Sequence, residues 1–112
     1  MLNFKTVSIE DEVRYDMDIM DEDVKIGYLT LFVCDGIAYM DSLEIFEDYR
    51  NKGYGTATIK EFAKKYEGVY ICPTNADNEQ LYARLGEYVE PNKLPDCYSD
   101  LYDNFDAVYF VE

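Results

Sequence analysis

Along the first half of the chain hydrophobic and polar positions alternate with a period of two. Val13, Tyr15, Met17 and Ile19 share one face, and Arg14, Asp16 and Asp18 share the other, which predicts a half-buried strand over 13–19. Asp21-Glu22-Asp23 reads as a solvated turn. Residues 25–34 are apolar on both faces and predict a central strand. Asp35-Gly36 is a hairpin signal, and residues 37–46 return as the partner strand. Residues 13–46 therefore form an antiparallel meander, with Phe4 to Ile9 as a strand before it.

The period changes after Gly55. Ile59, Phe62, Ala63 and Tyr66 recur at helical spacing and give a stripe that faces a sheet, stopped by Gly68. Val69 to Cys72 is a short buried strand ended by Pro73. Residues 78–85 form a brief helix with Leu81 and Leu85 inward and Gly86 as its cap. Tyr88 to Glu90 is read as a further strand, Pro91 to Asp103 as a loop or a single turn, and Ala107 to Val111 as a terminal strand. The fold class is α/β (α+β): a mixed, mostly antiparallel sheet, one main helix and a short second one. With no repeat or linker, residues 1–112 make a single domain.

Between the apolar segment and the main helix lies Arg50-Asn51-Lys52-Gly53-Tyr54-Gly55-Thr56-Ala57. A strand, a glycine turn and a helix leave a row of main-chain amides unpaired at the helix start. Those amides, with the helix dipole behind them, suit a phosphate. Glycines let a ligand approach the backbone. The loop is not a Walker loop, because Gly53 and Gly55 stand too close together. It is not a dinucleotide fingerprint either, because Thr58 stands where the third glycine belongs.

The spacing Arg-x-x-Gly-x-Gly before a helix resembles the acetyl-CoA pyrophosphate loop of the GNAT superfamily of N-acetyltransferases. A second stretch, Asn75 to Gly86, is similar to the same family. Members commonly carry an Asn after the fifth strand, then a helix Tyr, then a Leu and a Gly closing that helix. Asn75, Tyr82, Leu85 and Gly86 fall on those positions; Glu87 replaces a usual Phe and Asn78 a usual Ala. Residues 25–90 carry the resemblance, and the two ends follow it in outline.

The resemblance implies acetyl-CoA as co-substrate, lying where the fourth and fifth strands splay apart. Main-chain amides of Arg50, Asn51, Lys52, Gly53, Tyr54, Gly55 and Thr56 would hold the pyrophosphate. The pantetheine arm would follow Leu43-Glu44-Ile45 with sheet-like hydrogen bonds, and Asn75 would hold it from the opposite side. Tyr82 would protonate the departing thiolate, which a phenol of pKa about 10 can do for a thiol near 8.5. Asp41 and Glu44 are candidate bases for the amine. They lie on opposite faces of a regular pleat, and a bulge, usual in this strand of the family, would bring either inward. Family members usually carry one or two helices between the first two strands. Glu10, Asp11 and Glu12 leave no room for them, which implies an open acceptor site or one completed by a homodimer partner.

Composition narrows the partners. A formal charge of −14, from 24 acidic and 10 basic residues, opposes nucleic acids. It favours a cationic amine or a basic protein surface, or serves solubility alone. The anionic coenzyme is compatible with it because physiological salt screens charge over about 8 to 10 Å, and Arg50 and Lys52 help locally. Lysine on a protein, an N-terminal amine, a polyamine and an aminoglycoside all fit as acceptors. No run is apolar enough to span a membrane, and Met1 to Lys5 lacks a secretory core. Cys34, Cys72 and Cys97 are widely spaced and the chain has no histidine, so no metal site is expected, and reduced thiols in a cytoplasm are the simplest reading. Without histidine an acyl-cysteine route has no activating group. The leading function is acetyl transfer to an amine by direct attack in a ternary complex. The alternative is a non-catalytic acidic interaction protein on the same scaffold.

Overall fold

The computed structural model describes residues 2–112. Strands β1 (Leu2–Glu10), β2 (Arg14–Asp21), β3 (Val24–Cys34) and β4 (Ile37–Ile45) run as an antiparallel meander. Helix α1 (Tyr54–Lys65), strand β5 (Val69–Ile71), helix α2 (Ala76–Leu85) and the short strands β6 (Glu87–Tyr88) and β7 (Tyr109–Val111) follow. Among the described residues they build one sheet in the order β1-β2-β3-β4-β5-β7-β6, parallel at β4–β5 and antiparallel elsewhere. This is the predicted α/β (α+β) arrangement. The parallel pair requires a crossover, and α1 is that crossover.

α1 packs its predicted stripe on one face of the sheet. Ile59, Phe62 and Ala63 lie over Ile19, Ile26, Leu29, Leu31, Met40, Val69 and Ile71. Each fully buried aliphatic side chain here contributes about 1.5–3 kcal/mol. The helix ends where Gly68, at φ +122°, donates its amide to the Ala63 carbonyl at 2.6 Å. The Phe110 ring lies against Gly68, where a Cβ would stand 2.0 Å from its Cζ. α2 begins two residues earlier than predicted. Tyr82 is its buried residue, while Leu81 and Leu85 are half-buried, because α2 caps the short β6–β7 end of the sheet.

The opposite face carries a second, smaller core of Tyr39, Cys72, Tyr98, Leu101 and Val108. The predicted loop over 91–103 is in fact three single turns of 3₁₀ helix, Pro91–Lys93, Asp96–Tyr98 and Leu101–Asp103, laid across this face. Tyr98 pins them by donating its hydroxyl to the Ile37 carbonyl at 2.6 Å. The expectation of three reduced thiols is corrected here: Cys34 and Cys97 form a disulfide, and Cys72 is free and buried. Their separation of 63 positions hid a pair that only the folded chain brings together. Closing a loop of that length lowers unfolded-chain entropy by an amount worth about 4 kcal/mol.

β1 and β2 are joined by a tight turn, as predicted. Asp11 and Glu12 take left-handed φ values of 54° and 59°, and the Val13 amide closes the turn on the Glu10 carbonyl at 3.0 Å. Val13 thereby leaves its predicted place on the buried face and is 40% exposed. The face of β2 and β3 turned away from α1 is polar. Thr30 donates to Asp16 at 2.7 Å, and Lys25 pairs with Asp18 at 3.0 Å. Such a surface meets water without a covering helix.

The hydroxyls of Thr30 and then Ser8, with Arg14 beside them, hold the Asp16 carboxyl below its ordinary 3.8. A carboxyl whose folded pKa is depressed stabilises the fold above its unfolded value and loses that contribution as pH falls through the folded one. Thr30→Val is therefore expected to be less stable than the parent at neutral pH, with the gap closing on acidification. Urea titrations stepped from neutral pH to below 3.8 read this; a gap independent of pH would assign the loss to packing instead.

Candidate active site

β4 pairs with β3 along its whole length but with β5 only at Ala38, Tyr39 and Met40. Past Met40 the two parallel strands part. The Phe46 amide donates to the Ile26 carbonyl at 2.8 Å, so by strand alternation Leu43 and Ile45 turn their polar backbone groups away from β3, toward the gap. A cleft of about 580 Å³ opens there, lined by the end of β4, the loop before α1 and the start of α2. Leu43, Glu44, Ile45, Arg50, Asn51, Gly53, Tyr54, Gly55, Thr56, Asn75 and Tyr82 all line it. Of the residues nominated for the coenzyme, Lys52 does not; its ammonium lies over the Tyr49 ring.

The loop before α1 meets the cleft with its backbone. Gly53 is the N-cap at φ +82°, and the first helical bond is Ala57 N–H to Gly53 O at 3.0 Å. The amides of Gly53, Tyr54, Gly55 and Thr56 precede that bond and have no carbonyl a turn back. No side chain caps this helix and no acidic residue occupies its first turn, in a chain with 24 acidic residues. α2 is the opposite case: Asn75 caps it, and Asp77 and Glu79 sit in its first turn. Neither strain nor packing demands glycine at 55, where an added Cβ would meet only the Ile45 side chain at 4.0 Å.

The expectation for the Arg50 amide is corrected. Its amide already donates to the Glu47 carbonyl at 3.2 Å. Its guanidinium donates to the Ile45 carbonyl at 2.8 Å and to the Glu44 carboxylate. Arg50 therefore braces the end of β4 while lining the cleft. Tyr54 braces the loop from its other side, its hydroxyl donating to Asp21 at 2.6 Å.

Asn75 lines the cleft with its side-chain oxygen committed, accepting from the Asn78 amide at 2.8 Å. Tyr82, one helical turn beyond Asn78, is 6% exposed. Burial, with the Cys72 thiol as a lesser cause, pushes its phenol up to about 12. It therefore carries its proton at neutral pH.

The bulge expected in the fourth strand is present, and it falls on Asp41. Thr30 faces Ser42 and Leu31 faces Met40, which leaves Asp41 as the extra residue. Asp41 lines a second cavity of about 190 Å³ that shares Leu43, Glu44, Thr74, Asn78 and Tyr82 with the main cleft. Tyr39, buried in the second core, donates its hydroxyl to Asp41 at 3.0 Å. Glu44 lines both cavities, but its carboxylate is engaged by Arg50, which removes it as a freely available base. Cys72 lines the smaller cavity too. Burial raises its thiol to about 11, so it is no thiolate at neutral pH.

Sequence reasoning missed Tyr39, Tyr49, Thr74 and Asn78. Tyr39 carried a signal, standing two positions before Asp41 on the same strand, but a bulge had to be placed to read it. Thr74 and Asn78 join through a side-chain bond of 3.2 Å and line both cavities.

A family model described as acetyltransferase (GNAT) family matches residues 4–86. Among curated protein sequences none matches the chain. Among solved structures, a GNAT-family acetyltransferase from Staphylococcus aureus superposes with a TM-score of 0.68 at 14% identity, covering 88% of this chain and 66% of its own. An acetyltransferase from Thermus thermophilus gives 0.63 at 18% identity, with 90% and 64% covered. The PaiA N-acetyltransferase of Thermoplasma acidophilum, solved with coenzyme A, gives 0.62 at 16% identity, with 89% and 61% covered. At these identities the likeness is one of fold, and the chain spans less than two thirds of the length of each. Among the described residues no helix is long and apolar enough to cross a membrane. With the family model matched over most of its length, the chain belongs to the GNAT family of acetyltransferases.

Proposed function

We propose that the protein binds acetyl-CoA in the β4–β5 cleft and transfers its acetyl group to a primary amine of a cationic acceptor, a small molecule or a lysine or N-terminus of a protein. The observation that carries this is the start of α1: an uncapped helix end free of acidic residues that faces the cleft, with Tyr82 on the cleft wall. The diphosphate sits on the amides of Gly53 to Thr56, where helix-end donors and dipole favour an anion. The pantetheine arm follows the backbone of Leu43 and the amide of Ile45, which face the gap, while the Ile45 carbonyl stays with Arg50, and Asn75 holds the arm through its amide nitrogen. The coenzyme nature of the ligand is consistent with the coenzyme A held by the Thermoplasma acidophilum relative.

The amine enters from the Asp41 side. It attacks the thioester carbonyl, forming the C–N bond; the C–S bond breaks and the thiolate takes the Tyr82 proton. The amine's surplus proton passes to Asp41, directly or through a water, and Tyr39 holds that carboxylate in place. Tyr82 suits its part because burial keeps it protonated. Juxtaposing the two reactants supplies up to about 7–11 kcal/mol of the barrier reduction. The net charge of −14 favours a cationic acceptor.

Saturating acetyl-CoA is expected to raise the melting temperature by several degrees, since ligand at a hundredfold excess over Kd stabilises by about 2.7 kcal/mol. A melting curve indifferent to it would favour the acidic interaction protein instead. Gly55→Ala separates ligand from packing by sign. Stability should hold or rise by up to about 1 kcal/mol, as for glycine replaced in a helix, while affinity for acetyl-CoA falls about tenfold; unchanged affinity would remove the loop from the site. Tyr82→Phe should slow amine-dependent release of CoA at least about a hundredfold with Kd for acetyl-CoA within a few fold, read by thiol release and calorimetry. Asn75→Ala should cost about 1 kcal/mol as a lost helix cap. Asn75→Ser should restore stability but not coenzyme affinity, and full affinity in the serine variant would reduce Asn75 to a cap.

A further inference from the structure

At the end of the sheet where β3 turns into β4, Cys34 and Asp35 meet Cys97 of the second 3₁₀ turn. The two sulfurs and an Asp35 carboxylate oxygen lie within 4.8 Å of one another. Asp35 Oδ2 is 3.7 Å from Cys97 Sγ. Both sides of this triangle are held. Asp35 and Gly36 form the two-residue hairpin turn, at φ +53° and +79°. Cys97 is followed by Tyr98, whose ring packs on Tyr39 and Tyr70 and whose hydroxyl bonds the Ile37 carbonyl.

We propose that Cys34, Asp35 and Cys97 form an exchangeable crosslink. It is a disulfide when oxidised and, when reduced, a site for one thiophilic divalent cation such as Zn²⁺, with water as fourth ligand. The distances fit the ion. With Zn–S of about 2.3 Å and Zn–O of about 2.0 Å, a tetrahedral site has an S···O edge of about 3.5 Å and an S···S edge of about 3.8 Å. The Asp35–Cys97 separation already matches the first. The second is reached by side-chain rotation, since the Cα atoms of Cys34 and Cys97 stand 6.3 Å apart. Two thiolates select a soft or borderline ion over Mg²⁺ or Ca²⁺. The chemistry balances: an external dithiol gives two electrons and two protons to the disulfide and closes to a disulfide itself. The cation then displaces the two thiol protons to solvent. Either form ties the 3₁₀ turns to the hairpin, so the second core beneath Tyr39 stays closed in both redox states. This inference does not depend on acetyl transfer.

The test uses the full chain, reduced with a phosphine, freed of reductant under argon and titrated with Co²⁺ alone as the spectroscopic probe. A thiolate-to-cobalt absorption band saturating at one equivalent and bleached by Zn²⁺ is expected. Oxidised protein should give no band and Cys72→Ser an unchanged one, Cys97→Ser should lose it, and Asp35→Asn should keep it at roughly tenfold or more lower affinity. Zn²⁺ should raise the melting temperature of the reduced parent and leave the oxidised parent unmoved, a readout that holds even if Cys97→Ser fails to fold. The proposal is overturned by a fully reduced protein that gives neither band nor thermal shift, or by a band that persists undiminished in folded Cys97→Ser.

Discussion

The strand β4 has a full-length partner on one side and a three-residue partner on the other, and the site is built from that imbalance. A backbone that leaves a sheet must find other hydrogen-bond partners or meet a ligand. Ile45 meets Arg50, which holds the strand end at a fixed angle. Leu43 and the remaining groups face the cleft. The bulge at Asp41 begins where pairing with β5 ends, so one irregularity both ends the parallel ladder and turns a carboxylate toward the second cavity. Gly27 shows how tightly the other side is held: a Cβ there would stand 2.1 Å from the Glu44 carbonyl oxygen. β3 and β4 are thus locked together, and the freedom lies on the β5 side alone.

Charge is distributed to match. A chain with 24 acidic residues places none in the first turn of α1, while it places two in the first turn of α2. The second helix satisfies its own start with Asn75. The first leaves its amides to the cleft. Of the cations expected to assist nearby, Arg50 lines the cleft but is tied to the Ile45 carbonyl and the Glu44 carboxylate, and Lys52 lies over Tyr49. At the start of α1 it is main-chain dipoles that this cleft presents to an anion.

The two faces of the sheet divide the work. One buries the aliphatic core under α1 and positions Tyr82. The other has no long helix; over β2 and β3 it is a hydrogen-bonded polar surface, and over β4, β5 and β7 it is closed by the segment of three 3₁₀ turns, through Tyr98, Leu101 and Tyr102, and by the Cys34–Cys97 bond. Tyr39 connects that closure to Asp41. Aromatic packing thereby supports the Asp41 end of the cleft from beneath.

Local pattern was sufficient for the meander, the α1 stripe and the glycine loop, because alternation, helical spacing and helix-end amides are properties of neighbours in the chain, whereas Tyr82 was singled out by the family resemblance while helical spacing pointed to Leu81 and Leu85 as the inward residues of α2. Even the bulge in β4 was expected as an irregularity. Its placement at Asp41 was not, since register depends on both flanking strands at once. The same holds for the engagement of Glu44 by Arg50, the Tyr39 hydroxyl behind Asp41, and the meeting of Cys34, Asp35 and Cys97. Each of these joins groups by their three-dimensional approach: a pleat with one residue too many, a guanidinium folded back on its own strand, two cysteines separated by 63 positions. Chain order alone carries no measure of those distances.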